Sequence, residues 1–231
     1  MFYPYFDSTY FLVIIGIVLS LAASAKVKST FAKYSRVSSM SGITGAQAAE
    51  KLLHSSGIYD VQIEHVSGNL SDHYDPRSKV LRLSDSVYGQ RSLAAIGVAA
   101  HECGHAIQHD TNYAPLKIRG ALVPVANFGS MVSWPLILIG LLLAGSQTLI
   151  NLGIILFSLA VLFQIVTLPV EFNASRRAIA RLSETGILYG DELKNSKKVL
   201  DAAALTYVAA AAATILQLLR LIILFGGRNR D

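Results

Sequence analysis

The feature that most constrains the fold of this chain is a long stretch without formal charge. No Asp, Glu, Lys or Arg occurs from Gly120 to Val170, a length sufficient for two bilayer crossings of about 20 residues each. The 231-residue chain is 52% hydrophobic and only 15% charged, whereas soluble domains are about 25% charged. This composition argues against a soluble cytosolic enzyme and against a disordered chain, which would be rich in charge and poor in apolar residues.

Four apolar segments predict a mainly α, multi-pass membrane protein with about four transmembrane helices and a small α+β region. We assign residues 8–25 to a first transmembrane helix, residues 128–170 to a transmembrane hairpin and residues 202–225 to a fourth helix. Lys26 and Lys28 follow the first segment, whereas a cleaved signal peptide carries its basic residues in front, so we expect a retained anchor. For the fourth segment, a buried helix of a soluble protein is the alternative.

Two polar regions, residues 26–119 and 171–201, remain, and both are rich in Lys and Arg. The intervening hairpin returns the chain to the side that it left, so both regions share one side of the membrane. Their basic residues predict that this side is the cytoplasmic face of the cell membrane. Arg228 and Arg230, after the last segment, would then lie outside, which the same rule disfavours.

The net charge of +5 agrees with membrane topology better than with nucleic-acid binding. No aromatic-basic stripe or nucleic-acid-binding motif occurs, so we expect membrane lipid around the protein and no nucleic-acid partner. Cys103 is the only cysteine, which excludes an internal disulfide framework, and we expect no disulfide-linked partner.

Local patterns in the first polar region predict its secondary structure. The predicted elements are a helix at Thr44–Leu53, strands at Val61–Val66 and Val80–Leu83, a turn at Asp75-Pro76 and a buried helix at Ser92–His109. With the apolar segments, they form what we interpret as a single membrane-embedded domain over residues 1–231.

The strongest chemical signal is His101-Glu102-Cys103-Gly104-His105. Histidines at i and i+4 lie on one helical face and can bind one cation. Glu102 can reach a water at such a site, an arrangement that suits zinc with a glutamate general base. A buried helix whose polar groups are all satisfied is the alternative. Cys103 points to the other side of the helix, and we interpret it as a small core residue.

A catalytic zinc site needs three protein ligands and one open position. His109 continues the same face but lies about 12 Å along the helix axis from His101, too far to share a metal with it. Glu171 is the better candidate because it follows directly on the charge-free segment, where a carboxylate must be paired, ligated or placed in water. An interfacial ion pair with Arg176 or Arg177 is the alternative.

These residues carry a family resemblance. His101-Glu102-x-x-His105, an apolar hairpin and Glu171-Phe-Asn-Ala-Ser175 resemble the gluzincin arrangement of membrane-embedded zinc proteases of the heat-shock protease and CAAX-processing type. The chain is more similar still to the YugP-like neutral zinc metallopeptidases of bacteria, over nearly its whole length. The blocks that carry this resemblance are Asp72-His-Tyr-Asp-Pro-Arg, Val98-Ala-Ala-His-Glu-Cys-Gly-His-Ala-Ile-Gln and Glu171-Phe-Asn-Ala-Ser-Arg-Arg. The resemblance implies a zincin-like catalytic region with one zinc ion held by His101, His105 and Glu171, and Glu102 as the base.

One departure from the wider gluzincin pattern concerns the partner of a ligand histidine. Ser175 stands where that pattern has an aspartate, and a serine accepts the same hydrogen bond without adding charge. Asn173, or an acid from elsewhere, is the alternative partner. For stabilisation of an oxyanion, His73 and Tyr74 are candidates, and turn chemistry around Pro76 is the alternative for both.

These features predict a membrane-bound zinc endopeptidase that hydrolyses peptide bonds with a metal-activated water, at the cytoplasmic face. The expected substrates are peptides or membrane proteins, and the strand near Val80–Leu83 is a candidate for pairing with an extended substrate. Two alternatives stay open: a non-catalytic membrane scaffold braced by zinc, and a zinc hydrolase of a non-peptide bond. A structural zinc site would be closed by a fourth protein ligand, and none is evident in the sequence.

Overall fold

The computed structural model describes residues 7–143 and 145–226, which form six helices and one three-stranded sheet. In chain order the elements are α1 (Tyr10–Tyr34), α2 (Gly45–Ser55), β1 (Gln62–Val66), β2 (His73–Asp75), β3 (Val80–Ser84), α3 (Leu93–Asp110), α4 (Ala114–Leu142), α5 (Gln147–Glu184) and α6 (Gly190–Phe225). The predicted class, mainly α with four long apolar helices and a small α+β region, is confirmed.

Four helices, α1, α4, α5 and α6, are long and apolar enough to cross a membrane. Each is longer than the apolar segment that predicted it because the helix continues into polar sequence, where every added residue gains a further hydrogen bond. Thus α5 continues past Val170 to Glu184, and α6 begins at Gly190 rather than at residue 202. Between α4 and α5, Gly145 adopts a φ of +76°, a left-handed conformation that a glycine accepts without strain.

Two compact units divide the chain, and the first holds most of the apolar helical sequence. Among the described residues it comprises 7–23, 117–168 and 206–226. Its buried cluster consists of Ile137, Phe157, Val161 and Leu221. A Cβ at Gly16 of α1 would lie 3.1 Å from Cβ of Ala213 in α6, so these two helices pack closely at this point. The prediction of a single domain stays a prediction.

The second unit comprises residues 24–116 and 169–205 and contains the larger core. Its α2 begins with a complete capping box, in which Thr44 and Gln47 each bond the other's backbone N–H. Ser92 caps α3 through the backbone N–H of Ala95. Both helices lie where the sequence predicted them, and their apolar faces join the sheet in one cluster, which includes Leu52, Leu53, Leu81, Leu83, Leu93, Ile96, Ala99, Leu182 and Leu188.

The sheet has the strand order β1-β3-β2, with β1 parallel and β2 antiparallel to β3. β1 and β3 agree with the two predicted strands. β3 is the central strand, so both of its edges are already paired. The prediction that Val80–Leu83 pairs with a substrate is therefore wrong, because a strand has only two edges for backbone hydrogen bonds. Among the described strands, β2 has the edge next to α3 that no other strand pairs with.

Candidate metal centre

His101 and His105 project from one face of α3. Their rings lie 4.8 Å apart between centroids and nearly perpendicular, at 84°. The helix around them is almost fully buried, and the two side chains are only 14% and 11% exposed. Imidazole groups in such surroundings need polar partners or a metal, because their desolvation is otherwise uncompensated.

Glu171 of α5 meets both histidines. Its Oε2 atom lies 3.2 Å from Nε2 of His101 and 3.7 Å from Nε2 of His105, and its side chain is 3% exposed. Ligand atoms of the three residues all lie within 4.8 Å of one another. A tetrahedral zinc ion with bonds of about 2.0–2.1 Å keeps its ligand atoms about 3.4 Å apart. The two distances from Glu171 are close to this spacing, and two imidazoles with one carboxylate are donors that suit zinc.

The carboxylate reaches the histidines because α3 and α5 approach closely at Gly104. A Cβ atom on Gly104 would overlap the carbonyl oxygen of Ala174 and lie 3.0 Å from its Cα. Only a glycine allows two helix backbones to come so near at this point. Gly104, which the sequence motif contains without explanation, thus sets the distance between the two ligand-bearing helices.

Ser175 contacts the first ligand histidine. Its Oγ atom lies 3.0 Å from Nδ1 of His101, on the opposite side of the ring from the Nε2 atom that faces Glu171. When His101 Nδ1 donates to Ser175, the lone pair of Nε2 is free for a metal. The structure thus brings Ser175 to the atom where the wider pattern would place its aspartate.

Asn173 takes a different position from the one considered in the sequence: it contacts Gln108 rather than a histidine. Nε2 of Gln108 donates to the Val170 carbonyl at 2.8 Å and to Oδ1 of Asn173 at 3.0 Å. Oε1 of Gln108 then remains to accept from Nδ1 of His105, at 3.1 Å. Because both acceptors face its Nε2, the orientation of the Gln108 amide is determined, and so is the tautomer of His105.

Sequence reasoning did not identify Gln108. The available signal was a glutamine three residues after His105 in an apolar helix, a polar group that is costly to bury without partners. Its side chain is completely buried and all of its observed bonds are within this unit.

The pKa of His105 is affected by opposing influences. Burial, the largest single influence, lowers the pKa, but the hydrogen bond with Glu171 and the negative charges of Glu102 and Glu171 together raise it above its usual value. Protons and a metal cation therefore compete for the same Nε2 atom, and the bound metal requires the neutral imidazole.

Glu102, the predicted base, is buried and accepts a hydrogen bond from the sheet. Its Oε2 accepts a hydrogen bond of 3.1 Å from the backbone N–H of Tyr74 in β2. In a strand the N–H and C=O of one residue point to the same side, so the Tyr74 backbone faces away from β3 and toward α3. The unpaired edge of β2 therefore runs beside the predicted base.

The side chains of His73 and Tyr74, the oxyanion candidates, bond elsewhere. His73 is exposed and its Nδ1 lies 2.9 Å from the carbonyl oxygen of Ser71. The Tyr74 hydroxyl lies 2.8 Å from Nδ1 of His109. Burial, followed by the nearby carboxylates Asp60, Asp75 and Asp110, raises the pKa of Tyr74 to about 12, so its hydroxyl keeps its proton at neutral pH. A role of either residue at an oxyanion stays a prediction.

Two further side chains of α3 lie outside the ligand group. His109 bonds Tyr74 and does not join the three residues whose ligand atoms cluster. Cys103 is buried in the core with Sγ 3.6 Å from the Ala49 carbonyl oxygen, and burial raises the pKa of its thiol. The interpretation of Cys103 as a core residue is confirmed.

Comparison with known proteins relates the chain to a family named for zinc. The model of a family described as "Putative neutral zinc metallopeptidase" matches residues 9–226. The chain is 51% identical over 222 residues to a Bacillus subtilis (strain 168) protein named "Putative membrane protease YugP", and the alignment covers 96% of this chain and 98% of that protein. No solved structure matches the chain.

Proposed function

This chain belongs to the family of neutral zinc metallopeptidases matched above, and from that premise we propose that it is a membrane-bound zinc endopeptidase of gluzincin type. The observation that carries the proposal is the cluster of His101, His105 and Glu171. The two histidines lie on α3 and the glutamate on α5, far apart in the sequence. In the proposed mechanism these three residues would hold one zinc ion through the Nε2 atoms of the two histidines and a carboxylate oxygen of Glu171.

Zinc held there would supply Lewis-acid activation of a water and of the scissile carbonyl group. Glu102 takes a proton from the attacking water and passes it to the leaving amine as the peptide bond breaks. Its hydrogen bond from the Tyr74 N–H holds one carboxylate oxygen in place, so the other can act as the base. Ser175 and Gln108 keep the Nε2 atoms of the two histidines directed at the metal.

An extended peptide is the substrate that best suits the edge of β2. The Tyr74 N–H on this side already bonds Glu102, so the Tyr74 C=O, which faces the same way, is the backbone group that β2 presents to a peptide. A peptide that pairs with this edge would lie beside the base, and backbone pairing accepts many sequences. We infer that peptides or membrane proteins, bound in extended form along β2, are the substrates.

A catalytic site needs an open position, whereas a structural zinc site is closed by a fourth ligand. Within residues 7–143 and 145–226, no fourth His, Cys, Asp or Glu belongs to the ligand group. This favours the enzyme over a scaffold braced by zinc.

The test compares zinc content and casein cleavage for the detergent-purified wild type and two variants. Glu102→Gln should keep one zinc per chain and lose cleavage by at least about 100-fold, because the base is removed and the ligands are not. Glu171→Ala should lose both zinc and cleavage. Glu50→Gln, an exposed helical glutamate in α2, is the matched control and should behave like wild type.

Each assignment can fail separately. Zinc retained at full affinity by Glu171→Ala would show that Glu171 is not the third ligand. Cleavage by Glu102→Gln at the wild-type rate would exclude Glu102 as the base. If wild type holds zinc but cleaves no member of a broad peptide panel, the scaffold or the hydrolase of a non-peptide bond becomes the better explanation.

For location, we propose a multi-pass protein of the cell membrane with its metal site on the cytoplasmic side. The support is the excess of basic residues in the polar regions; Arg228 and Arg230, which lie outside the described residues, oppose it. The lone Cys103 is 1% exposed, so cysteines introduced elsewhere can be labelled selectively. A membrane-impermeant maleimide added to intact cells should label Thr148→Cys but not Lys51→Cys until the membrane is permeabilised. The reverse pattern would invert the orientation.

A further inference from the structure

The ends of α1 and α6 within the second unit form a cavity that is separate from the metal centre. Its volume is about 580 Å³. The residues that line it come from two matching stripes at i, i+3, i+4 and i+7, the spacing of one helix face. The stripes are Lys26, Ser29, Thr30 and Lys33 of α1, and Lys198, Asp201, Ala202 and Leu205 of α6, with Tyr34 between them.

Positive charge dominates this cavity. Lys26, Lys33 and Lys198 line it, and none of them has a carboxylate partner in the described part of the chain. The one carboxylate in the lining, Asp201, already pairs with Lys197 at 2.6 Å. An anion would therefore gain several ammonium partners here without displacing an existing ion pair.

Two of these charges lie near the ring of Tyr34. The Nζ atoms of Lys33 and Lys198 lie 5.3 Å and 6.0 Å from the centre of its ring. The ring itself is held in place because Tyr34 is buried against Ala94 and Val199. Both ammonium groups therefore lie within about 6 Å of the centre of one fixed ring in the cavity wall.

The sequence on either side of the cavity indicates the kind of anion. In α1, Lys26 is the first charged residue after the apolar segment 8–25, and in α6, Asp201 is the last one before the apolar segment 202–225, whose residues 202–219 carry no charge. Charged groups at such transitions lie at the level of lipid headgroups. Ala202 and Leu205 add apolar surface that suits the glycerol and acyl part of a lipid, and Asp201 can accept from a headgroup hydroxyl.

We propose that this cavity binds the phosphodiester headgroup of an anionic phospholipid. The three lysines and the hydroxyl of Thr30 donate to the phosphate, and the apolar side of the cavity receives the start of the acyl chains. The proposal does not depend on the zinc chemistry, because no residue of the metal centre lines the cavity.

The test measures lipid retention by native mass spectrometry of the full chain, released from micelles that contain phosphatidylglycerol and phosphatidylcholine in equal amounts. Wild type should retain phosphatidylglycerol in preference to phosphatidylcholine. Combined Lys26→Gln, Lys33→Gln and Lys198→Gln should lower this preference by about 100-fold. The matched control, with Lys28→Gln, Lys51→Gln and Lys117→Gln, removes the same charge from exposed lysines outside the cavity and should keep the preference.

Four outcomes would overturn the proposal: no preference in wild type, an unchanged preference in the cavity variant, an equal loss in the control, or displacement of the lipid by millimolar glycerol phosphate. The last result would identify a site for free phosphate esters instead of lipid. If the triple variant does not fold, Ser29→Glu tests the same point, since this exposed position places a negative charge in the cavity. Retention of phosphatidylglycerol by Ser29→Glu at the wild-type level would also exclude the lipid site.

Discussion

At the scale of single residues, the two ligand histidines depend on uncharged partners. Ser175 contacts Nδ1 of His101 and Gln108 contacts Nδ1 of His105. Such partners determine which nitrogen carries the proton and how the ring is directed, and their loss typically weakens a metal site 10–100-fold. Neither partner adds a negative charge. The negative charge among the three proposed ligands comes from Glu171.

Gln108→Met should weaken zinc binding by about 10–100-fold, because it keeps a similar volume but removes the acceptor of His105 Nδ1. Competition with a chelator of known affinity gives the dissociation constant. Gln90→Met, at an exposed loop position, should leave it unchanged. An affinity of Gln108→Met within twofold of wild type would mean that Gln108 does not orient the ligand.

Ser175→Ala should also weaken zinc binding, whereas Ser175→Asp should bind zinc at least as tightly as wild type. The aspartate accepts the same hydrogen bond from His101 and adds a charge that makes the imidazole more basic. The same chelator competition measures both. Weaker binding by Ser175→Asp than by Ser175→Ala would contradict the assigned contact.

At the scale of elements, the site depends on how closely α3 and α5 pack. The contact at Gly104 leaves no room for a side chain against Ala174. The sheet also contributes to the site, because the Tyr74 N–H of β2 holds the carboxylate of Glu102. The helices α3 and α5 therefore carry the proposed ligands and base, and the edge strand β2 lies beside them where the substrate peptide is proposed to bind.

Gly104→Ala should destabilise the protein by about 1–3 kcal/mol, because the added methyl group forces the two helix backbones apart. Zinc affinity should fall in the same variant, since His105 and Glu171 separate. The matched control is Gly120→Ala in α4, where a Cβ meets nothing within 4 Å; it should be neutral or stabilising by up to about 1 kcal/mol. Thermal unfolding in detergent compares the two, and equal effects would contradict the close-contact argument.

At the scale of the whole molecule, zinc would link parts of the chain that the apolar hairpin separates in sequence. His101 and His105 lie in α3, before α4, and Glu171 lies in the second half of α5. A ligand that binds only the folded chain stabilises it in proportion to the logarithm of its concentration over its dissociation constant.

Removal of zinc by a chelator should therefore lower the unfolding temperature of wild type. At free zinc of 1,000 times its dissociation constant, the loss corresponds to about 4 kcal/mol. Glu171→Ala should unfold at the same temperature with and without chelator, since it holds no zinc to remove. If the chelator left the unfolding temperature of wild type unchanged, this would contradict a metal that bridges α3 and α5.

The sequence alone determined the features that depend on neighbouring residues. The absence of charge from Gly120 to Val170 predicted two long apolar helices, and both are present as parts of α4 and α5. Capping by Thr44 and Ser92 and the spacing of His101 and His105 are likewise local, because one helical turn relates all the atoms involved.

Only the tertiary structure decided which distant groups meet. That Glu171 lies 3.2 Å from His101, that Gln108 joins His105 to α5, and that β2 rather than β3 is an edge strand all depend on how separate elements pack. Packing sums many weak contacts over the whole unit, and no short pattern in the chain records the result. The close approach at Gly104 is the clearest case, since a glycine in the motif becomes informative only when Ala174 is found against it.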